Sequence, residues 1–319
     1  MKFVITGASG HIGNNLVRAI NRDYPDFEVV VLTRRMVDKE LAGTNCRQAI
    51  GDLFSQAFLS ENIDSDSIVV HCAGFIDLTD KMIEETYRIN LQMTQIILDV
   101  CLEIKVKKFI YIGSTDAIAK EDSVVICEPS DYYPNRIEGN YGKSKAETSH
   151  IVLDAINTNP DFNGAIVIPS AVIGINDYKP SAVGKIIDGI IRGNPEIGIK
   201  GGYNFVDVED VCRVILLLSF NDKRGQYIVA GESIGVKDFF VKINTYLGIK
   251  RTVFILPTFL VKLFLPFISS LNKITLKALN ETHDFSCERL QKELGFIPTP
   301  IDETVGNTIE WFKKYIKFK

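Results

Sequence analysis

The chain has 319 residues, 46% of them apolar and 24% charged, and a net charge of −4 at neutral pH. This balance fits a soluble globular protein holding one large domain or two unequal ones. No basic stripe runs through it, which argues against nucleic acid as a partner. Six cysteines (Cys46, Cys72, Cys101, Cys127, Cys212 and Cys287) are scattered without a Cys-x-x-Cys pair. Reduced thiols, no disulfide framework and no metal site are expected.

Lys2 to Thr6 reads as a strand around Phe3-Val4-Ile5. It starts the chain at once, so no signal peptide and a cytoplasmic location are expected. Thr6-Gly7-Ala8-Ser9-Gly10-His11-Ile12-Gly13 follows, and Asn14 to Asn21 has helical apolar spacing through Ile12, Leu16, Val17 and Ile20. Strand, glycine turn and helix make the context of a dinucleotide-binding loop. Gly7, Gly10 and Gly13 allow a tight turn, a close approach to a pyrophosphate, and packing of helix on strand. The backbone at Ser9, His11 and Ile12 completes that cradle, where a helix N-terminus offers amides and a positive dipole end. The His11 ring is read as placing backbone rather than moving protons.

Glu28 to Thr33 is a second strand, apolar at Val29, Val30, Val31 and Leu32 and therefore expected inside a parallel sheet. Its end meets the adenosine ribose, where an acid selects NAD and an arginine accommodates the NADP phosphate. Arg34 and Arg35 stand there with no acid. NADP is the expected cofactor, with NAD as the alternative. After a third strand at Cys46 to Ile50, Asp52 and Leu53 are placed at the adenine edge. A fourth strand, Ser67 to Gly74, ends in Cys72, Ala73 and Gly74, small enough for a flat cofactor to lie across them; His71 is read as a packed strand residue. In the long helix Glu84 to Glu103, Asn90 is a polar group suited to holding a water or backbone.

A fifth strand, Lys108 to Gly113, ends in Ser114 and Thr115, where ligands bind in open α/β sheets. Tyr141 and Lys145 come next, at i and i+4 on one helix face. An ammonium beside a phenol favours the phenolate, and a phenol needs such help, since it titrates near ~10 unaided. The sixth strand is Ile166 to Pro169; Pro169 and Val172 complete the expected cofactor contacts. A helix from Val211 to Phe220, capped by Asp207 or Asp210, and a strand from Tyr227 to Ala230 end the alternation. The repeated strand–helix order predicts an α/β, doubly wound parallel sheet. We assign 1–169 and 203–230 to a dinucleotide-binding Rossmann domain, and 170–202 and 231–319 to a smaller substrate-binding domain. Val253 to Leu271 has spanning length but is broken by Pro257, Lys262 and Pro266. A buried or pocket-lining helix is expected there; contact with a membrane surface is the alternative, and stable insertion is not expected.

With TGASGHIG, HCAG at 71–74, ST at 114–115, YGKSK at 141–145 and FVDVEDV at 205–211, the chain resembles the extended short-chain dehydrogenase/reductase (NAD-dependent epimerase/dehydratase) family. The resemblance covers nearly the whole chain, to LGF at 294–296 and Trp311-Phe312. IGSTDAIA, IPSAVIGINDYKPSAVG and GGYNFVDVEDV are most similar to its dihydroflavonol reductase and 3β-hydroxysteroid dehydrogenase branch. That resemblance implies Tyr141 as proton donor and acceptor, Lys145 lowering its pKa and holding the nicotinamide ribose, and Thr115 positioning the carbonyl. It also sets Arg34 against the NADP 2′-phosphate. Ile168 replaces an arginine many members carry before the proline, and Ala119 replaces the tyrosine usual in sugar-nucleotide epimerases. Both departures weigh against a nucleotide sugar, although Lys179, Lys185 and Arg192 remain as diphosphate contacts.

The expected function is an NADPH-dependent carbonyl reductase, or alcohol dehydrogenase in reverse, on a small-molecule apolar carbonyl or alcohol. The alternatives are a hydroxysteroid dehydrogenase, a nucleotide-sugar epimerase or dehydratase, and a non-catalytic NADP(H) sensor. A symmetric homodimer is the base-rate expectation for such a chain.

Overall fold

The computed structural model describes residues 1–120, 124–257 and 282–317. In chain order the strands are β1 (Lys2–Thr6), β2 (Glu28–Thr33), β3 (Arg47–Ile50), β4 (Ser67–His71), β5 (Lys108–Ile112), β6 (Gly164–Pro169), β7 (Ala171–Ile173), β8 (Ile197–Ile199), β9 (Gly202–Asp207), β10 (Gly225–Val229), β11 (Glu232–Gly235) and β12 (Phe254–Leu256). Seven of them form one parallel sheet in the order β10-β6-β5-β4-β1-β2-β3. The order reverses at β1, from which the chain runs outward to β2 and β3 and returns as β4. The crevice beyond the ends of β1 and β4 is thus the ligand position of a doubly wound sheet.

Both faces of this sheet are covered, which is why its strands read as unbroken apolar runs. Val29 and Val31 join one core layer with Leu16, Val17 and Ile20 of α1 (His11–Asp23) and with Val211 and Ile215 of α7 (Val208–Ser219). Val30 and Leu32 point the other way, to Leu59 of α2 (Gln56–Asn62), Ile97 of α4 (Met93–Ile104) and Val152 of α5 (Asn140–Thr158). The strand period of two sorts the side chains between the layers. A third core belongs to the smaller region: Ile187 of α6 (Ala182–Ile191), Phe239 and Ile243 of α8 (Val236–Leu247), and Val305, Ile309 and Phe312 of the C-terminal helix Ile301–Lys317.

Several expectations need correction. β9 pairs with β7 and β11 in a separate three-stranded sheet, so the boundary at 203 cuts through the smaller region's own sheet. Conversely, the helix Glu288–Leu294 and Phe296 return to the large sheet, where Leu290 and Phe296 pack in its core. Cys72, Ala73 and Gly74 are loop, because β4 ends at His71. The helix expected over Glu84 to Glu103 is α3 (Ile83–Tyr87), a π turn over Arg88–Gln92, and α4. The cap of α7 is Asp207, whose Oδ1 accepts from the Glu209 amide at 2.8 Å; Asp210 instead receives the Thr299 amide and hydroxyl. Within Val253 to Leu271, Phe254–Leu256 is a strand paired with β8 rather than the start of a helix, and 258–271 lie outside the described residues. Among the described residues no helix is long and apolar enough to cross a membrane.

Candidate active site

The glycine loop is shaped by what a side chain would strike. Gly7 has φ +72°, and a Cβ there would lie 2.5 Å from the Ala73 nitrogen; one on Gly13 would lie 2.5 Å from the Gly7 carbonyl. Gly10 donates its amide to the Gly7 carbonyl at 2.9 Å and caps α1. The first bond into the helix is donated by Asn14, to the Gly10 carbonyl, and among the described residues no backbone carbonyl takes up the amides of His11, Ile12 and Gly13. Those amides at a helix N-terminus suit a pyrophosphate. His11 Nε2 lies 2.9 Å from the Ile175 carbonyl, which only accepts, so Nε2 carries the proton. Burial pulls the ring's pKa down against the pull of Asp177. His11 therefore fixes backbone, tying the loop that contains Ser9 to the chain after β7.

Arg34 and Arg35 are exposed beyond β2, with no ion-pair partner among the described residues. Glu85, held below the usual carboxylate range by its hydrogen bonds to Arg88, also feels the Arg34 charge. Asp52 is exposed and accepts from the Phe54 amide at 3.0 Å, while Leu53 is buried. Pro169 ends β6 and is buried; Val172 is half-buried on β7 against the main core.

Behind the crevice runs a directional chain of hydrogen bonds. Thr94 Oγ1 donates to the Asn90 carbonyl at 2.6 Å, so it accepts from His71 Nε2 at 2.8 Å. Burial, with the Lys145 charge adding to it, pushes His71 down to about 3, so the ring is neutral and Nδ1 accepts. The donor is Thr6 Oγ1 at 2.6 Å, which in turn accepts from the Ala73 amide at 3.3 Å. The π turn frees the Asn90 carbonyl for side-chain donors, and the Asn90 amide clamps both backbone groups of Phe75 at 2.7 and 2.9 Å. Its Nδ2 also donates to Ser144 Oγ at 3.0 Å, which bonds the Tyr141 carbonyl at 2.8 Å. Asn90 thus holds backbone, and through it the first turn of α5.

Tyr141 and Lys145 share one face of α5, but their electrostatics differ from the expectation. Burial pushes the Tyr141 phenol well above its usual value, the Asp116 carboxylate raises it further, and the Ser114 hydroxyl beside it pulls it down. The ammonium is not turned on the phenol. It donates to the Ile112 carbonyl at 2.8 Å and the Tyr111 hydroxyl at 3.2 Å, and burial pulls it down to about 8. Gly74 lies against it, since a Cβ there would be 3.5 Å from Nζ. A second difference concerns the two hydroxyls. Ser114 meets Tyr141, whereas Thr115 is buried at the start of a short 3-10 turn, 6% exposed. Ser114 Oγ already accepts the Asp116 amide at 3.1 Å, which leaves its own proton for the phenol oxygen.

Asp116, Tyr111 and Tyr203 lie around this pair, and motif reading missed them. A Cβ on Gly142 would lie 2.8 Å from the Asp116 carbonyl, so Gly142 is what lets this turn settle beside Tyr141. Asp116 pairs with Lys120 at 3.1 Å, and burial followed by its charge raises the Tyr203 phenol on β9. No sequence pattern links Tyr203 to Tyr141; only the packing of the smaller sheet does. Of the three cations considered for a diphosphate, Lys179 pairs with Glu40 and Arg192 with Asp188. Lys185 is exposed.

A seven-stranded doubly wound sheet, a glycine cradle at its switch point and a phenol at the strand ends define an NAD(P)-binding fold of the oxidoreductase and epimerase type. The chain belongs to the NAD dependent epimerase/dehydratase family, whose sequence pattern matches residues 3–231. It is 25% identical to sterol demethylase protein B of Methylococcus capsulatus, over 98% of this chain and 99% of the relative. It is also 25% identical to a putative dihydroflavonol 4-reductase of Synechocystis sp., over 98% of this chain and 95% of that one. The crystal structure of gox2253 is similar throughout, with TM-score 0.84, 26% identity and 98% of each chain covered.

Proposed function

We propose that the protein is an NADP(H)-dependent oxidoreductase interconverting a carbonyl and an alcohol on an apolar, sterol-like small molecule, with Tyr141 as general acid and base. The observation that carries this reading is the placement of Tyr141 one helical turn before the buried Lys145 on α5, beside Ser114 at the end of β5. Bound NADPH supplies the hydride. The chain supplies the proton: Tyr141 gives its own to the carbonyl oxygen, and Ser114 donates to the oxygen left on the phenol. A phenol held above its usual value keeps its proton at neutral pH, which is the form that reduction requires. Lys145, buried beside Gly74, is the residue that would hold the nicotinamide ribose.

An apolar substrate is supported by two features. Ile76, Leu78, Met82 and Ile83 are exposed on the loop and helix start that follow β4, at the crevice end of the sheet. Arg192, one of the cations that could meet a nucleotide diphosphate, is engaged with Asp188 on its own helix. The similarity to sterol demethylase protein B favours a polycyclic alcohol or ketone over a small aldehyde.

The test is steady-state NADPH oxidation against a panel of ketosteroids, dihydroflavonols and α-diketones. Tyr141→Phe should bind NADPH normally and lose turnover by ~10²–10⁴, the usual cost of a general acid. Ser114→Ala should slow turnover by at least ~10-fold while Thr115→Ala stays close to wild type. A near-normal Tyr141→Phe variant would sink the acid/base assignment; the reverse order of the two hydroxyl variants would return the role to Thr115.

A further inference from the structure

Lys179 lies on the stretch between β7 and α6, far in sequence from the glycine loop, yet the fold delivers it there. His11 Nε2 and Asn15 Nδ2 both donate to the Ile175 carbonyl, at 2.9 and 3.0 Å. Asn14 Nδ2 donates to the Asn176 carbonyl at 3.2 Å, and Asn176 Nδ2 returns a bond to Asn15 Oδ1 at 2.9 Å. Asn176 sits at φ +58°, a left-handed conformation that asparagine tolerates better than most residues, and it turns the chain back over α1. Tyr178 is then pinned by Arg18, which donates to its hydroxyl at 3.3 Å, and by the rings of Trp311 and Tyr315, 5.3 and 5.7 Å away.

The next side chain is Lys179. Its ammonium lies 3.0 Å from Glu40 Oε1 and 3.3 Å from the Ser9 carbonyl. Ser9 belongs to the glycine loop and Glu40 to the segment after β2, the two stretches that flank the adenosine ribose in this architecture. Glu40 is the fixed half of the pair, with 13% of its side chain exposed against 55% for Lys179. A phosphate near a dianionic state attracts an ammonium more strongly than one carboxylate does, and offers it more acceptor oxygens.

We propose that Lys179 is a cofactor-specificity residue whose ammonium ligates the 2′-phosphate of NADP(H), with Glu40 as its resting partner when NAD(H) is bound. This rests on the dinucleotide-binding reading above. The smaller region thereby takes part in choosing the cofactor as well as the substrate.

The test is equilibrium binding, by calorimetry, of NADPH, NADH, adenosine 2′,5′-bisphosphate and 5′-AMP to wild type, Lys179→Met, Lys179→Arg and Glu40→Gln. Lys179→Met should weaken NADPH and the bisphosphate about tenfold and leave NADH and 5′-AMP within about twofold. Lys179→Arg should keep the NADPH preference, and Glu40→Gln should tighten NADPH by freeing the ammonium. The salt dependence of NADPH binding should flatten in Lys179→Met. Equal losses for NADPH and NADH would place Lys179 on the pyrophosphate and overturn the proposal, as would an unchanged NADPH affinity. Wild type binding neither dinucleotide would overturn the function reading and this inference together, whereas a preserved NADPH preference in Lys179→Met would overturn this inference alone.

Discussion

The ammonium of Lys145 is buried at 6% exposure and bonded to a carbonyl and a phenol, with no carboxylate paired to it among the described residues. Desolvation disfavours its charge, which brings it down to about 8. The phenol of Tyr141 moves the other way, because desolvation and the Asp116 charge both disfavour phenolate. The two shifts set a pH profile for reduction. Below the Lys145 value both groups hold their protons, the phenol can donate and the ammonium can bind the ribose. Above about 8 the ammonium is lost first. Reduction should therefore be constant through neutrality and decline on the alkaline side of about 8, while alcohol oxidation, which needs phenolate, gains with pH until Lys145 fails. A profile of kcat/KM for reduction that stays flat to high pH would show that Lys145 keeps its charge by another means.

Elements are joined here by single polar side chains in apolar surroundings. Asn90, 1% exposed on the π turn, satisfies both backbone groups of Phe75 and the hydroxyl of Ser144. It thus fixes the loop after β4 to the start of α5, the two elements that carry Gly74 and Tyr141. Asn90→Leu keeps the volume and removes every partner. Left unpaired in the interior, these groups should cost roughly 2–4 kcal/mol, read as a lower urea midpoint with an unchanged m-value. A loss below about 1 kcal/mol would mean that water or a backbone shift replaces the amide. The glycine loop works by the opposite device, since Gly7 and Gly13 matter for the atoms they lack.

For the whole molecule, the joint between the two regions contains a buried carboxylate. Asp207 ends β9 and caps α7; burial raises it to about 6, with Asp210 and Glu209 adding to the rise, against the hydrogen bond from the Glu209 amide and the nearby Thr304 hydroxyl of the C-terminal helix. Its folded value lies above its unfolded value, so the native state binds the extra proton. The stability this group contributes is full below about 4 and is lost as pH rises through about 6. Asp207→Asn retains an oxygen for the cap and removes the buried charge. Relative to wild type it should gain about 1–3 kcal/mol at pH 7 and nothing near pH 4, measured by denaturant unfolding at both pH values. A variant less stable than wild type at pH 7 would mean that the ionised carboxylate is worth more to the cap than its burial costs.

The sequence by itself determined the doubly wound sheet and the place of the glycine loop, and it pointed to Tyr141, Lys145 and Arg34 as candidates. These are local properties: apolar runs of strand length, a glycine spacing, and an i, i+4 pair on a helix. It also marked Asn90 and His71 as polar residues in apolar elements, although not their partners. Tertiary structure alone decided which hydroxyl meets Tyr141, because Ser114 and Thr115 differ by one residue at a strand end where the backbone turns. It alone directed Lys145 to Ile112 and Tyr111, since a shared helix face does not choose among the acceptors a long side chain can reach. The placement of β9 beside β7 and β11, the return of Leu290 to the large sheet, the approach of Asp116 to Tyr203, and the arrival of Lys179 at the glycine loop all depend on contacts between residues remote in sequence. Such contacts are set by which surfaces pack together, and no local pattern encodes them.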